Sequence, residues 1–129
     1  MVVVHDAAHP LASAALFERV VHRVLAGDDA AVCVVPMTEV VQIVCDGQIM
    51  AVLPKEGQVL AQSPAAFRAR VLRAAHATAP ESTEDVALVL AAGAIVAAVP
   101  GDPTNLHITT AEEWRMADAL AASMRQARR

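Results

Sequence analysis

The hydrophobic positions of this chain follow two rhythms, short unbroken runs and stripes at helical spacing, and their order predicts a layered α/β arrangement. Residues 1–4 are apolar and mostly β-branched and lead straight into His5 and Asp6. That is the pattern of a fully buried strand whose polar residues emerge at its carboxyl end, where α/β folds collect their chemistry. Ser13 then stands as a helix cap before Leu16, Val20 and Val24, which share one helical face, and Gly27 marks the stop. A second buried strand is predicted over 31–35. From 38 to 58 the rhythm changes. Two β-rich runs, 40–45 and 48–53, flank Asp46-Gly47, a dipeptide suited to a type I′ turn, so the segment is predicted to form a protruding hairpin arm. A two-stranded hairpin is marginal alone, so the arm is expected to pack against something else, such as another subunit.

Beyond the arm, Ser63-Pro64 offers a capping hydroxyl followed by a proline at a first helical position, which predicts a helix running to about residue 78. Thr83, with Glu84 and Asp85 in the first turn, predicts a shorter helix ending at Gly93, followed by a strand over 94–99. The turn Pro100-Gly101-Asp102-Pro103 leads into a short predicted strand at 106–108. Thr110 and Glu113 form a capping box for a last helix that would turn Trp114, Ala117, Leu120 and Ala121 inward. Outside the arm, strands alternate with helices. The expected architecture is therefore a single α/β domain over 1–129, with a mainly parallel sheet and helices on both faces. A chain opening on an all-apolar strand is also expected to leave a sheet edge for another segment or partner to cover.

Composition narrows the picture. Of the 129 residues 56% are hydrophobic but only 2% are aromatic, so the core is expected to be made of small and β-branched side chains. A net charge of −4 argues against a nucleic-acid partner, because phosphate backbones are held by clustered cations. Lys55 is the only lysine, and most arginines fall at helical spacing (Arg19 and Arg23; Arg68, Arg70 and Arg73) or in the tail, as solvated helix faces would. Cys33 and Cys45 stand apart in apolar surroundings with no leader-like segment before them, the pattern of buried, reduced thiols in a cytoplasmic protein. The apolar run at 86–100 is broken by Gly93 and too short to span a bilayer.

Among candidate chemistries, His5, Asp6 and His9 have ligand-capable side chains, but they lie in a loop before Pro10 rather than on one helix face. No metal site is expected from that spacing. Ser63 is followed by proline and lacks a nucleophile elbow, which sets a serine hydrolase aside. His22 and His76 sit on predicted helices as ordinary surface or boundary residues.

Four segments together carry a family resemblance: Val4-His5-Asp6-Ala7-Ala8-His9-Pro10; Gln62-Ser63-Pro64-Ala65-Ala66-Phe67; Thr83-Glu84-Asp85-Val86; and Gly101-Asp102-Pro103-Thr104-Asn105-Leu106-His107-Ile108-Thr109. In order and in register, they resemble the carboxy-terminal half of the 2-C-methyl-D-erythritol 4-phosphate cytidylyltransferases of the non-mevalonate isoprenoid pathway. The resemblance implies a Rossmann-like nucleotidyltransferase fold, present in part, and a reaction in which a polyol phosphate attacks the α-phosphorus of CTP. Mg²⁺ would accompany the nucleotide. The resemblance further implies that Asp6 and His107 lie at the reaction centre and that His9, Lys55, Ser63 and Thr83 contact the polyol phosphate. It implies a homodimer in which the arm, through Val40 and Lys55, reaches the partner's site.

This chain also departs from the family pattern. The glycine-rich nucleotide loop has no counterpart, since the five glycines are isolated. His9 and His107 stand where the family has arginine and lysine, Val40 and Gln42 where it has threonine and lysine, and Lys55 where it has arginine. An imidazole with an ordinary pKa of about 6.5 is mostly neutral at pH 7. Two readings follow for His107, a phosphate contact or a neutral replacement, and two for Asp6, an active-site carboxylate or a cap on the next turn. Ser63 and Thr83 are read as helix caps, with or without a ligand contact. For the whole chain the expectations are a weak or inactive cytidylyltransferase or, alternatively, a non-catalytic binding or assembly module of the same descent.

Overall fold

In the computed structural model, which describes residues 1–78 and 84–127, the order is β1 (Val2–Val4), α1 (Ala14–Ala26), β2 (Ala30–Pro36), β3 (Val41–Cys45), β4 (Gln48–Leu53), β5 (Val59–Phe67), α2 (Ala69–Thr78), α3 (Asp85–Ala91), β6 (Val96–Pro100) and α4 (Ala111–Ala127). The main sheet has the order β1-β5-β2-β6. β2 is parallel to β6, while β5 is antiparallel to both β1 and β2. Three strands thus point one way and β5 runs against them between two of the three.

Helices cover both faces. On one, Leu16, Val20 and Val24 of α1 pack on Ala31, Cys33, Ala66 and Val99. On the other, Leu72 and Ala75 of α2 and Leu88 and Val89 of α3 pack on Ala30 and Phe67. The predicted stripe of α1 is the buried one, and Gly27 ends the helix at φ +133°. That left-handed conformation is accessible to glycine at little steric cost. The core is as aromatic-poor as the composition implied, with Phe67 its largest fully buried side chain.

Several sequence expectations change. β1 is not buried through, since Val3 and Val4 remain exposed on the sheet edge. Ser63 and Pro64 do not start a helix. They lie inside β5, and α2 begins only at Ala69. The ladder explains how a proline is tolerated there: Val32 faces Ala65 and Cys33 faces Gln62, so Ser63 and Pro64 are an extra pair bulging out of the β2 pairing. A bulge leaves positions without ladder bonds, which suits a residue that has no N–H. Their peptide bond is cis.

No strand forms at 106–108, where a loop is tied down by the Ile108 amide donating to the Ala8 carbonyl at 2.8 Å. Trp114 is exposed rather than inward, and of α4 only Ala117 is fully buried. Cys33 is buried as expected, whereas Cys45 is exposed on the arm. Two arginines read as solvated are structural ties: Arg68 donates to the Gly27 and Asp28 carbonyls, and Arg19 to the Pro100 carbonyl.

The arm forms as a separate two-stranded sheet, with Asp46 at φ 50° and Gly47 at φ 76°, the positive values a type I′ turn demands. Ile43, Val44, Ile49, Met50 and Val52 along it are exposed.

Candidate active site

The carboxyl end of β1, the bulge of β5 and the loop at 101–107 meet at one cleft of about 290 Å³. Its lining includes Asp6, His9, Gln62, Ser63, Glu84, Asp85 and His107. The bulge does the joining. With Ser63 turned out of the ladder, its hydroxyl accepts the Asp6 amide at 2.7 Å and lies 2.9 Å from Nδ1 of His5. Ser63 therefore belongs to the site, but as the partner of the β1 end rather than as a helix-start hydroxyl. Its own carbonyl accepts from Nδ2 of Asn105 at 2.7 Å, which fastens the 101–107 loop to the same bulge.

Asp6 turns back on its loop. Its Oδ1 accepts the Ala8 amide at 2.8 Å, and this bond holds the carboxyl below its ordinary range despite some opposing desolvation. The cap reading of Asp6 is thus realised for one oxygen. The other, Oδ2, lies 3.6 Å from Nε2 of His107, a close electrostatic approach outside hydrogen-bond reach. Both side chains are more than half exposed to the cleft, at 59% and 51%.

His9 is only 6% exposed, and its Nδ1 is buried without a hydrogen-bond partner. Burial pushes its pKa down, and the neighbouring His107 acts in the same direction. The two imidazoles stack with centroids 4.7 Å apart and planes 17° from parallel. Asp6, His9 and His107 each bring one ligand-capable atom within 4.8 Å of the others. The spacing of His5, Asp6 and His9 concealed this grouping, because the third member arrives from nearly a hundred residues away and His5 is engaged with the Ser63 hydroxyl, its ring tilted against Phe17 at 5.2 Å.

Two residues quoted only as part of motifs prove central. Gln62 donates to the Asp102 and Asn105 carbonyls and accepts the Asp102 amide, stitching β5 to the loop that carries His107. Asn105, 1% exposed, is the buried amide beneath the site, and its Oδ1 is unpaired. The signal for both was a polar amide beside turn residues, which hydropathy alone does not rank. The turn itself is fixed by Asp102, whose carboxylate accepts the hydroxyl and amide of Thr104 and is held below its ordinary pKa by them.

Lys55 is not in this cleft. It is exposed beyond β4, and its ammonium approaches the Thr38 carbonyl at 3.4 Å. Val40 is likewise exposed, just before β3. Thr83 lies outside the described residues, though Glu84, which caps α3 by accepting the Val86 amide, lines the cleft.

A family model described as 2-C-methyl-D-erythritol 4-phosphate cytidylyltransferase matches residues 1–123. A bifunctional enzyme IspD/IspF of Anaeromyxobacter dehalogenans is 43% identical over 128 residues, covering 93% of this chain and 33% of its own length. A 2-C-methyl-D-erythritol 4-phosphate cytidylyltransferase of Frankia casuarinae is 37% identical over 124 residues, covering 95% and 47%. The crystal structure of the enzyme of that name from Thermus thermophilus superposes with a TM-score of 0.84 at 35% identity, covering 93% of this chain and 61% of that one. The chain spans about half the length of the Frankia relative and about a third of the bifunctional one.

Proposed function

Because the chain belongs to the 2-C-methyl-D-erythritol 4-phosphate cytidylyltransferase family, we propose that its cleft receives the polyol phosphate in a cytidylyl transfer from CTP. The observation that carries this reading is the convergence of Asp6, His9, Ser63 and His107, distant in sequence, around one open cleft at the carboxyl end of β1. In the reaction an oxygen of the substrate phosphate attacks the α-phosphorus of CTP. The bond from that phosphorus to the bridging oxygen breaks, and pyrophosphate leaves with the electron pair. The protein's part is positioning and charge compensation.

Asp6, kept ionised by the Ala8 amide, accepts hydrogen bonds from polyol hydroxyls near the reacting atoms. His107, on the exposed side of the stack, donates an N–H to the phosphate, and His9 backs it from the buried side. Ser63 fixes the Asp6 backbone and keeps one side of the cleft polar. To Thr83, which lies outside the described residues, we assign a further polyol contact on the family resemblance alone. Mg²⁺ accompanying CTP fits here only in part, since it takes oxygen ligands and Asp6 Oδ2, 3.6 Å from Nε2 of His107, is the one carboxylate oxygen of the trio left free of the Ala8 amide; that oxygen and the nucleotide phosphates would hold the ion, which would supply charge neutralisation.

This chain alone turns over weakly or not at all. Imidazoles stand in the phosphate-facing positions, and its only lysine lies on the arm. We also assign to the arm a homodimer contact in the cytoplasm, bringing Val40 and Lys55 to the partner's cleft; the exposed Ile43, Val44, Ile49, Met50 and Val52 support it. Among the described residues no helix is long and apolar enough to cross a membrane. Pyrophosphate release from CTP and 2-C-methyl-D-erythritol 4-phosphate is the test. Turnover at an ordinary enzyme rate, about 1 s⁻¹ or faster, would overturn the weak-activity reading.

The second reading, a non-catalytic assembly module, rests on the same apolar arm. It requires self-association without CTP affinity. Calorimetry with CTP beside light scattering distinguishes the two, since a tight CTP complex rules the module out.

A further inference from the structure

We propose that Asp6, His9 and His107 form a binding site for a borderline divalent transition metal of the zinc class, with one coordination position left open to the cleft. The site goes beyond the cytidylyl-transfer reading and does not depend on it.

The donor set selects the metal. Two imidazole nitrogens and one carboxylate oxygen suit zinc, cobalt or nickel, whereas magnesium takes oxygen donors and gains little from imidazole. Three protein ligands with the fourth position exchangeable is the arrangement of open rather than structural zinc sites. The geometry is close to this already, because the three candidate atoms lie within 4.8 Å of one another before any ion draws them in.

His9 supplies the fixed member. A buried imidazole nitrogen without a partner is a polar group left unsatisfied, and such groups ordinarily find a donor, an acceptor, a water or an ion. His107 supplies the adjustable member. A metal sits in the plane of each imidazole that binds it, so two rings stacked 17° from parallel cannot both ligate as they stand. The His107 side chain is 51% exposed, and rotation about its Cβ–Cγ bond, a broad torsion, opens the stack without moving the backbone. Asp6 supplies the anion: Oδ1 is fastened to the Ala8 amide, which orients the carboxylate and leaves Oδ2 toward His107. A ligated ion would place a permanent positive charge between the two rings, beside the space where an anionic oxygen enters.

The test uses the full chain and the metals alone. Zinc titration should give one site per chain, and cobalt loading should give the intense visible bands of a four-coordinate ion. His107→Gln and Asp6→Asn, both at exposed side chains, should each weaken zinc binding by about 100-fold or more, since even outer-sphere partners of such sites are worth about 10–100-fold. His9→Gln, which keeps a polar side chain of similar reach, should do the same, with circular dichroism confirming the fold. His22→Gln on the exposed face of α1 should leave binding unchanged. Inorganic phosphate added to the cobalt form should shift its spectrum. Absent zinc binding, or binding that survives either the Asp6 or the His107 change, overturns the site. An unshifted cobalt spectrum overturns the open position. Because no nucleotide is present, failure here leaves the cytidylyl-transfer reading standing, and failure of turnover leaves the metal site standing.

Discussion

Replacing Gln62 by alanine would show whether the site loop is held by one side chain. Gln62 makes three hydrogen bonds across the junction of β5 and the 101–105 turn: Nε2 to the Asp102 carbonyl at 2.9 Å and the Asn105 carbonyl at 3.1 Å, and Oε1 from the Asp102 amide at 3.0 Å. A net contribution of about 0.5–1.5 kcal/mol for each gives about 1.5–4.5 kcal/mol. Water enters a half-buried junction and satisfies part of what is lost, so the expectation falls to about 1.5–3 kcal/mol. In urea, at a slope of about 1.5 kcal/mol/M, the midpoint should drop by about 1–2 M with the slope unchanged. Gln62→Glu is the sharper variant. It keeps an acceptor for the Asp102 amide but sets a carboxylate against two carbonyl oxygens, so at neutral pH it should destabilise at least as much as alanine. Its folded pKa would be raised, because only the protonated acid can donate; stability should therefore be recovered at low pH and lost as pH rises through that folded value. A midpoint shift below about 0.3 M for alanine, or a glutamate variant indifferent to pH, would refute the claim that this side chain holds the loop.

Other outcomes follow from the same contacts. A Cβ at Gly101 would collide with Oε1 of Gln62 and sit 2.9 Å from the Val34 carbonyl oxygen, so Gly101→Ala should destabilise by about 1–3 kcal/mol, and by less than additively with Gln62→Ala, in a urea double-mutant cycle. Phe67→Ala, at a side chain 1% exposed, should lower stability by about 3–5 kcal/mol, read by thermal unfolding. Glu113 accepts from the amides and hydroxyls around Thr109 and Thr110, which hold its pKa at about 2; the stability it adds should be present above its ordinary value of 4.5 and lost as pH falls toward 2, an acid-limb component absent from Glu113→Gln. Ile43→Lys with Ile49→Lys on the arm should abolish concentration-dependent association in light scattering while leaving the main-domain melting transition in place.

What the sequence made legible was whatever rests on local rules. The α1 stripe, the Asp46-Gly47 turn and the Thr110–Glu113 box each depend on residues within a few positions of one another, and each forms as expected. Ser63-Pro64 went wrong because serine followed by proline is compatible with two structures. The Ala-rich run after it has helical propensity, but burial decided the matter: Ala66 and Phe67 fill both faces of the sheet as strand residues, and the helix starts only once they are placed. The error matters chemically. A helix-start Ser63 would offer its hydroxyl and nearby N–H groups to an anion, whereas the bulge commits that hydroxyl to Asp6 and His5 and makes it an organiser of the β1 end. The trio of Asp6, His9 and His107 was illegible for a related reason. Only the pairing of β1 with β5, and the fastening of the 101–107 loop to the β5 bulge through Gln62 and Asn105, brings His107 onto His9. Read singly, His9 and His107 are two lost cations. Stacked at 4.7 Å with Asp6 beside them, they bring three ligand-capable side chains to one place, and that difference lies wholly in long-range contacts that no spacing along the chain records.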